Sequence, residues 1–303
     1  MKKVFAVLLA LFVLVGCGQK SGTGDAKQIK VYTRDGSSGT REAFESIIKL
    51  EALTNNSAET SSNGDMAKQV GASPAGIGYV SLTTDFEANG ILPMAYEGVK
   101  PTIETVNNGT YKLARPFSYV TRAQGDFGND SKEQLIVAFL DYLTNSTEGL
   151  QVVLAAGGIV DTSKGKPWSE LKVNHPIVEQ DNSSITIKTG GSTSVEKTLK
   201  AAVEQFIPLA GNFKWEPNHT GSGDGAKRTI GSEKEGANSI DIGFASRSFK
   251  DDEKVSEGMA TGVYAQDAVV VVVHKDNKDF TNFTAKQLVE IFGGTAKNWS
   301  DVK

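Results

Sequence analysis

Residues 29–41, IKVYTRDGSSGTR, constrain the fold of this 303-residue chain more than any other segment. A short apolar stretch runs into a loop of glycine and hydroxyl residues, and EAFESIIKL follows with the apolar spacing of a helix. A strand, a glycine-rich turn and a helix start in this order predict an α/β unit. In such units the loop lies at the carboxyl end of the strand, where ligands bind.

This loop has the chemistry of an anion-binding site. The first N–H groups of a helix lack intrahelical acceptors, and the helix dipole gives them partial positive charge. Ser37, Ser38 and Thr40 can donate hydroxyl hydrogen bonds. Arg34 and Arg41 can donate charged ones that suit a tetrahedral oxyanion, and Arg41 could equally form a structural ion pair. An ordinary turn accounts for the same residues, with glycine for positive φ and serine as helix cap, so both interpretations stay open.

Three further polar turns follow strand-like segments later in the chain. They are residues 191–195 (GSTSV), 221–223 (GSG) and 245–247 (ASR). Turns that follow parallel strands lie at the same edge of a sheet, beyond the carboxyl ends of the strands, and ligands bind at that edge. Four such turns indicate a shared binding site far more strongly than one does.

Strands and helices alternate along most of the chain, which predicts a mostly parallel α/β architecture. Residues 268–274, AVVVVVH, are typical of a strand that is buried on both faces. The chain exceeds the usual size of a single domain, so two lobes are expected. Residues 164–184 are polar, contain two prolines and are predicted to be a linker.

Residues 1–17 have the composition of a secretory signal. A basic start is followed by the apolar residues 4–15, a run too short to span a bilayer comfortably. Cys17, the single cysteine of the chain, comes next after Gly16, which resembles a bacterial lipobox whose cysteine is lipid-modified. Residues 18–27 are rich in glycine, serine and threonine and are predicted to be a flexible tether. The expected product is lipid-anchored at the extracellular face of the cell membrane.

Charge and residue spacing weigh against several classes of function. The formal net charge of −4 argues against a nucleic-acid partner, although local donors can still bind a small anion. A serine hydrolase needs a base beside its nucleophile, whereas His175, His219 and His274 are scattered and expected to be structural. No ligand spacing suggests a metal, and residues 221–227 lack the nucleotide-binding P-loop pattern. The chain is therefore predicted to be neither an enzyme nor dependent on a metal or other cofactor.

Together, these motifs resemble those of the phosphate-binding proteins of bacterial phosphate ABC transporters. In that family an R-x-D-G-S-G-T segment and GSTSV, GSG and AS-(D/R) turns surround one phosphate. Residues 76–82 (GIGYVSL), 111–117 (YKLARPF) and 298–302 (NWSDV) also resemble family segments. The resemblance covers nearly the whole chain after the signal. It implies a two-lobed, periplasmic-binding-protein-like α/β fold of type II, with the ligand in the cleft between the lobes.

The order of these segments is rotated relative to that family. Residues 28–165 resemble the usual second half, and residues 184–303 resemble the usual first half. A circular permutation and a fragment of a longer tandem protein both explain this order, and the presence of both halves favours one complete module. In the permuted order, residues 28–81 and 267–303 are expected to form one lobe, and residues 82–266 the other.

The resemblance also implies a set of phosphate ligands. One lobe is expected to supply Arg34, Ser38, Gly39 and Thr40, and the other Thr193, Ser194, Ser222 and Arg247. Asp35 is expected to orient an arginine. Simpler roles stay open: a helix cap for Thr193 or Ser194, a turn residue for Ser222, and an ion pair with a carboxylate such as Asp251 for Arg247.

Position 247 is a departure from part of the family. Some members have an aspartate there, which accepts a proton from the ligand and helps to exclude sulfate. Arg247 leaves that acceptor unassigned.

The implied function is that of a monomeric solute-binding lipoprotein, which captures inorganic phosphate and delivers it to an ABC permease. A surface phosphate-sensing or scavenging protein without a permease is an alternative. An exported phosphate-ester hydrolase is another.

Overall fold

The computed structural model describes residues 28–303. The predicted signal, Cys17 and the tether lie outside the described residues. The strands are β1 (Lys30–Arg34), β2 (Ala58–Thr60), β3 (Gly76–Ser81), β4 (Ile91–Pro93), β5 (Ala95–Tyr96), β6 (Ala114–Ala123), β7 (Thr186–Gly191), β8 (Lys214–His219), β9 (Ile242–Ala245), β10 (Met259–His274) and β11 (Asn282–Phe283). The helices are α1 (Gly39–Ile48), α2 (Asn63–Gly71), α3 (Ile103–Asn107), α4 (Asp130–Asn145), α5 (Thr147–Ala155), α6 (Trp168–Leu171), α7 (Glu196–Phe206), α8 (Ser222–Thr229) and α9 (Ala285–Gly293).

A long mixed sheet connects the two halves of the fold. Its strand order is β2-β1-β3-β10-β6-β9-β7-β8, with β4 paired to β10. β1 pairs in parallel with β2 and β3, and β7 pairs in parallel with β8 and β9. Between these groups, β10 is antiparallel to β3 and β6, and β6 is antiparallel to β9. The parallel pairing predicted from the sequence therefore occurs at both ends of the sheet, and the centre is antiparallel.

Two hydrophobic clusters lie on either side of the antiparallel centre. The first contains Phe44, Tyr79 and the valines of β10 from Val269 to Val273. The second contains Phe117, Leu199, Phe206 and Phe244. The valine run is almost completely buried, which confirms the prediction of a strand with two covered faces. The molecule therefore has the two-lobed α/β architecture that the sequence predicts.

Residues 91–113 pack with the first cluster, whereas the sequence assigns them to the second lobe. Ile91, Met94, Val106 and Leu113 are buried there. The cause is long-range pairing, because β4 pairs with β10 and β5 pairs in parallel with β11. Neither pairing has a local pattern in the sequence.

Residues 164–184, predicted to be a linker, are folded onto the second cluster. They contain α6 and several short 3-10 turns. Trp168, Ile177 and Val178 are buried in this cluster, and the Trp168 ring stacks on His175 at a centroid distance of 5.9 Å. These three apolar side chains are widely spaced within a polar segment, so their packing is not apparent from composition.

Two helices that follow the predicted polar turns, α1 and α7, are anchored by their buried faces. On α1, Phe44 stacks on Tyr79 at 4.3 Å between ring centroids and packs edge-on against Phe292 at 4.8 Å. On α7, Leu199, Val203 and Phe206 recur at helical spacing and are buried in the second cluster. Since large side chains fix each helix in its own lobe, the first turn of each helix has a fixed position at the sheet edge.

Candidate functional site

Four helices begin at the carboxyl ends of strands, and their first turns meet. α1 follows β1, α2 follows β2, α7 follows β7 and α8 follows β8. Thr40 Oγ1 on α1 lies 3.0 Å from Ser194 Oγ before α7, and Asn63 Nδ2 on α2 lies 3.1 Å from Thr193 Oγ1. The N–H of Gly223 on α8 donates to the carbonyl of Ser37 at 3.0 Å. Partial positive charge from four helix dipoles therefore converges on one place, which we call the anion junction.

Arg34 ends β1 inside the anion junction and is 1% exposed. Its Nη1 donates to Thr193 Oγ1 at 3.4 Å, and its Nη2 pairs with Asp35 Oδ2 at 3.2 Å. Burial lowers the pKa of Arg34, and the Asp35 carboxylate opposes that shift. An arginine remains protonated under such conditions, so the site retains a charged donor. The prediction that Asp35 orients an arginine is confirmed.

Two glycines allow the turns to approach each other. A Cβ at Gly39 would overlap Ser222 Oγ and would lie 2.9 Å from Ser222 Cβ, so only glycine fits there. Gly191 has a φ of +116°, which side chains rarely adopt, and a Cβ there would overlap the backbone of Phe244. Both glycines lie in the predicted turns, but the neighbours that exclude a Cβ, Ser222 and Phe244, are distant from them in sequence.

The structure brings together most of the residues that the sequence predicts. The residues at the junction are Arg34, Ser38, Gly39, Thr40, Thr193, Ser194 and Ser222. Ser38 also caps α1, because its side chain accepts from the N–H of Arg41. No side-chain cap bond is present at the start of α7 or α8 within the described residues, so Ser194 and Ser222 are not caps of this type.

Asn63 is a junction residue that the sequence reasoning missed. Its Nδ2 donates to Ser194 Oγ at 2.8 Å and to Thr193 Oγ1 at 3.1 Å, while its Oδ1 accepts from the N–H of Ser81 at 3.0 Å. The amide is thereby fixed in one orientation. The turn-like SSNGD segment was the available signal, but it lacks the strand–glycine–hydroxyl pattern.

Arg115 and Asp267 form a buried ion pair that the sequence reasoning also missed. Arg115 Nη2 and Nε lie 2.8 and 3.1 Å from Asp267 Oδ2, and both side chains are almost fully buried. Burial lowers the pKa of Arg115 and raises that of Asp267, and each charge opposes the shift of the other. Arg115 Nη2 also donates to Ser194 Oγ at 2.9 Å, which joins this pair to the anion junction.

The hydrogen bonds fix the direction of the junction hydroxyls. Ser194 Oγ accepts from Asn63 and from Arg115, so its own hydrogen is available for Thr40 Oγ1. The hydroxyl hydrogen of Thr40 is then free to donate elsewhere. Thr193 Oγ1 accepts from Asn63 and Arg34, which likewise leaves its hydrogen free. The junction is therefore rich in donors, as an oxyanion site requires.

Arg247 is the predicted ligand that lies apart from the hydroxyl network. Two carboxylates occupy its guanidinium: Glu253, with N–O distances of 2.6 and 2.8 Å, and Glu42 Oε2, at 2.9 Å from Nε. Burial lowers the pKa of Arg247, but these carboxylates outweigh it and raise the pKa overall. Lys250 Nζ also lies 3.0 Å from Glu42 Oε1. Because Glu42 is on α1 and Arg247 follows β9, the pair bridges the two lobes.

Arg41 and the histidines have structural partners. Arg41 pairs with Glu45 at 2.8 Å and donates to the carbonyl of Arg34 at 2.9 Å. His175 lies 2.8 Å from Asp141, and His274 Nδ1 accepts from the N–H of Asp276 at 3.1 Å. Arg41 therefore forms the structural ion pair that the sequence left as one alternative.

The imidazole of His219 is expected to make the fold sensitive to acid. Burial lowers its pKa to about 4, and its Nδ1 lies 3.1 Å from the carbonyl of Ser192. The unfolded chain binds a proton below pH 6.5, the ordinary value, whereas the folded protein resists protonation down to about pH 4. Stability is therefore lost as the pH falls through that window. His219→Gln should show a smaller fall in Tm between pH 6.5 and 4 than the parent, and an equal fall would contradict this assignment.

The described residues limit two other classes of site. Across residues 28–303, no helix combines the length and apolarity needed to cross a bilayer. Within the same range, no cluster of three or more His, Cys, Asp or Glu side chains is arranged to hold a metal ion.

Comparison with known proteins places this geometry in a family. Residues 18–147 and 177–303 match the family described as the PBP superfamily domain. The chain belongs to the PBP superfamily. Every residue of the anion junction, together with Arg115 and Asp267, lies within the matched ranges.

Two streptococcal relatives match along nearly their whole length. "Phosphate-binding protein PstS 2" of Streptococcus agalactiae serotype V is 29% identical over 305 residues, covering 97% of this chain and 94% of that protein. The protein of the same name from Streptococcus pneumoniae serotype 4 is 27% identical over 312 residues, covering 98% and 97%. Alignments of this extent require the same order of segments in these relatives. The circular permutation predicted from the sequence stays a prediction.

One solved crystal structure has a similar fold. It is that of a phosphate-binding protein of a phosphate ABC transporter from Streptococcus pneumoniae TIGR4, with a TM-score of 0.63 and 23% identity. The match covers 91% of this chain and all of that one. This similarity supports the two-lobed fold.

Proposed function

We propose that the protein captures inorganic phosphate between its two lobes and delivers it to an ABC permease for import. The observation that carries the proposal is the meeting of four helix starts and the Arg34 guanidinium at one buried group of hydroxyls. The names of the streptococcal relatives agree with this ligand, and the Streptococcus pneumoniae crystal structure is that of a phosphate ABC transporter's binding protein. The proposed ligand contacts are Arg34, Ser38, Gly39, Thr40, Thr193, Ser194 and Ser222.

A divalent oxyanion suits the electrostatics of the junction. The ion loses much of its hydration on entering a cleft, so it needs many rigidly placed donors. Arg34 pairs with Asp35, and Arg115 pairs with Asp267, so each cation already has a counter-charge. Hydroxyl and backbone dipoles then supply most of the attraction without a large excess of positive charge.

Capture by lobe closure follows from the position of the donors. Thr40 and Asn63 belong to helices of the first lobe, and Thr193 and Ser194 precede α7 of the second. A ligand that contacts both sets is bound more tightly when the lobes are closed. Phosphate would therefore shift the population toward the closed state.

The proposed location follows from the sequence. We infer that residues 1–17 direct export and that Cys17 is lipid-modified, so a monomer is held at the extracellular face of the cell membrane.

The junction hydroxyls contact arginine, asparagine and other hydroxyls, and no histidine side chain bonds to them in residues 28–303. This arrangement favours binding over ester hydrolysis.

Calorimetry on the chain lacking residues 1–17 tests the proposed function. Phosphate and arsenate should each bind with one site per chain, and a chromogenic phosphate ester should not be turned over. Titration at two temperatures guards against a binding enthalpy close to zero. The absence of phosphate binding at both temperatures would refute the proposal, while turnover of the ester would favour the hydrolase.

The Glu42 carboxylate is expected to favour closure through its contacts with Arg247 and Lys250. Glu42→Gln should weaken phosphate binding about 2- to 5-fold at low salt, because a partly exposed ion pair contributes up to about 1 kcal/mol. The difference should shrink in 1 M salt (roughly a 3 Å screening length). Calorimetry at both salt concentrations measures the effect.

Glu45→Gln is the matched control for this bridge. Glu45 lies on the same helix and pairs with Arg41 at 2.8 Å within one lobe. Glu45→Gln removes one negative charge near the anion junction, as Glu42→Gln does. Equal changes in affinity for Glu42→Gln and Glu45→Gln would contradict a bridging role.

A further inference from the structure

We propose, building on the proposed function, that Arg115 is a further anion-binding residue and that Asp267 positions its guanidinium. The departure at position 247 motivates this assignment. Arg247 is held by Glu42 and Glu253 at the edge of the cleft, so its charge is already engaged. Arg115 supplies a second arginine from a different strand.

The pair sits where the chain passes between the lobes. Arg115 on β6 and Asp267 on β10 are directly opposite in the antiparallel register. Leu113 and Ala268 beside them belong to the first hydrophobic cluster, whereas Phe117 belongs to the second. The ion pair therefore lies at the base of the cleft.

The guanidinium uses two faces for two tasks. Nε and Nη2 contact Asp267 Oδ2. The other oxygen of this carboxylate, Oδ1, accepts from Ser81 Oγ at 3.0 Å. On the other side, Nη2 donates to Ser194 Oγ at 2.9 Å and Nη1 donates to Ser246 Oγ at 3.2 Å. Ser194 lies in the turn at residues 191–195, and Ser246 lies in the turn at residues 245–247.

These contacts make the turn hydroxyls into donors. Ser246 Oγ accepts from Arg115 and also from Ser192 Oγ at 2.9 Å, so its own hydrogen can be donated either to Ser222 Oγ, at 3.5 Å, or to a bound anion. A guanidinium has five N–H groups, and the second hydrogen of Nη1 has no protein acceptor among residues 28–303. An oxyanion at the junction would satisfy these groups.

A purely structural ion pair would not need this arrangement. Joining β6 to β10 requires only the contacts with Asp267, because the strands already share a ladder of backbone hydrogen bonds. Arg115 also donates to hydroxyls of both turns. When no ligand is present, the Asp267 carboxylate compensates the positive charge of Arg115. A bound anion would interact with the same guanidinium.

Removing each charge of the pair separately tests the proposal. Phosphate titrations of the parent, Arg115→Met and Asp267→Asn proteins are compared with the Tm of each protein without phosphate. Arg115→Met should bind phosphate about 10- to 100-fold more weakly, because a charged hydrogen bond is lost. Asp267→Asn keeps an oxygen that can accept from Arg115 but removes the counter-charge, so phosphate binding should be tighter than in the parent.

Two further variants keep the test decisive. Arg115→Met/Asp267→Asn removes both charges and avoids an unpaired buried ion, should a single variant fail to fold. The double variant should also lose affinity. Arg122→Met is the control, because Arg122 is a buried arginine on the same strand that pairs with Glu235 and Asp126. Its affinity should stay within about twofold of the parent, since it makes no contact with the junction.

The outcomes separate this inference from the proposed function. If the parent binds phosphate, and Arg115→Met and the double variant both bind it as tightly as the parent does, then Arg115 is structural. In that case this inference fails and the proposed function stands. If Asp267→Asn lowers the Tm and weakens binding as Arg115→Met does, the counter-charge role of Asp267 fails. If the parent itself does not bind phosphate, the proposed function fails and this inference with it.

Discussion

Arg34→Met is expected to weaken phosphate binding by more than about 100-fold. The guanidinium is buried at the anion junction and donates toward Thr193. Two charge-assisted hydrogen bonds to an anion are together worth about 3–6 kcal/mol, which corresponds to that loss of affinity or more. Asp35, left without its partner, is partly exposed and can be solvated, so the fold should survive. Calorimetry with phosphate, alongside circular dichroism to verify folding, measures the effect.

Arg41→Gln is the matched control for this prediction. Arg41 is on the same loop–helix segment, but its guanidinium pairs with Glu45 and with the carbonyl of Arg34. The variant removes one positive charge without removing a junction donor, so its affinity should stay within about threefold of the parent. A folded Arg34→Met protein that binds phosphate as tightly as Arg41→Gln would remove Arg34 from the site.

Gly39→Ala is expected to weaken phosphate binding about 5- to 150-fold without unfolding either lobe. The new Cβ would overlap Ser222 Oγ across the cleft and would lie 3.1 Å from Ser246 Oγ. Overpacking of this kind costs about 1–3 kcal/mol, and the cost falls on the closed state, in which the two turns touch. Small-angle scattering with saturating phosphate should show a larger radius of gyration than for the parent.

Gly36→Ala provides the comparison within the same loop. A Cβ at Gly36 meets nothing within 4 Å, so the substitution changes backbone entropy without a steric clash. Its affinity and its radius of gyration with phosphate should match those of the parent. Equal behaviour of the two alanine variants would mean that close approach at Gly39 is not needed for binding.

The sequence revealed those parts of the site that have a local pattern. Each of the turns at residues 34–40, 191–195 and 221–223 combines glycine with hydroxyl residues at the start of a helix. The physics of the helix N-terminus makes such a turn recognisable without the rest of the fold. Thr40 was found in this way, whereas Thr193 was implied by the family resemblance, and the structure places both at one junction.

The missed residues depend on contacts that are distant in sequence. Arg115 and Asp267 are 152 positions apart, and each lies within a strand with no distinctive neighbours. Asn63 acts through its contacts with Thr193 and Ser194, more than a hundred positions away. A single sequence does not reveal which strands will be adjacent, so such partners become visible only in the folded chain.

Arg247 shows how a resemblance can place a residue differently from its packing. The ASR turn has the expected position after β9, but its arginine is held by Glu253 and by Glu42 of the other lobe. The same limit applies to residues 91–113. Their packing with the first cluster is set by pairing with β10 and β11, which no local pattern indicates.

A crystal structure of the protein grown with millimolar phosphate would test the central claim most directly. We expect one phosphate at the anion junction, within hydrogen-bonding distance of Arg34 on one side and of Thr193 on the other. The hydroxyl of Thr40 should donate to the same ion. Phosphate found only outside the cleft, for example beside Lys227 and Lys250, with Arg34 and Thr193 still bonded to each other, would contradict the account.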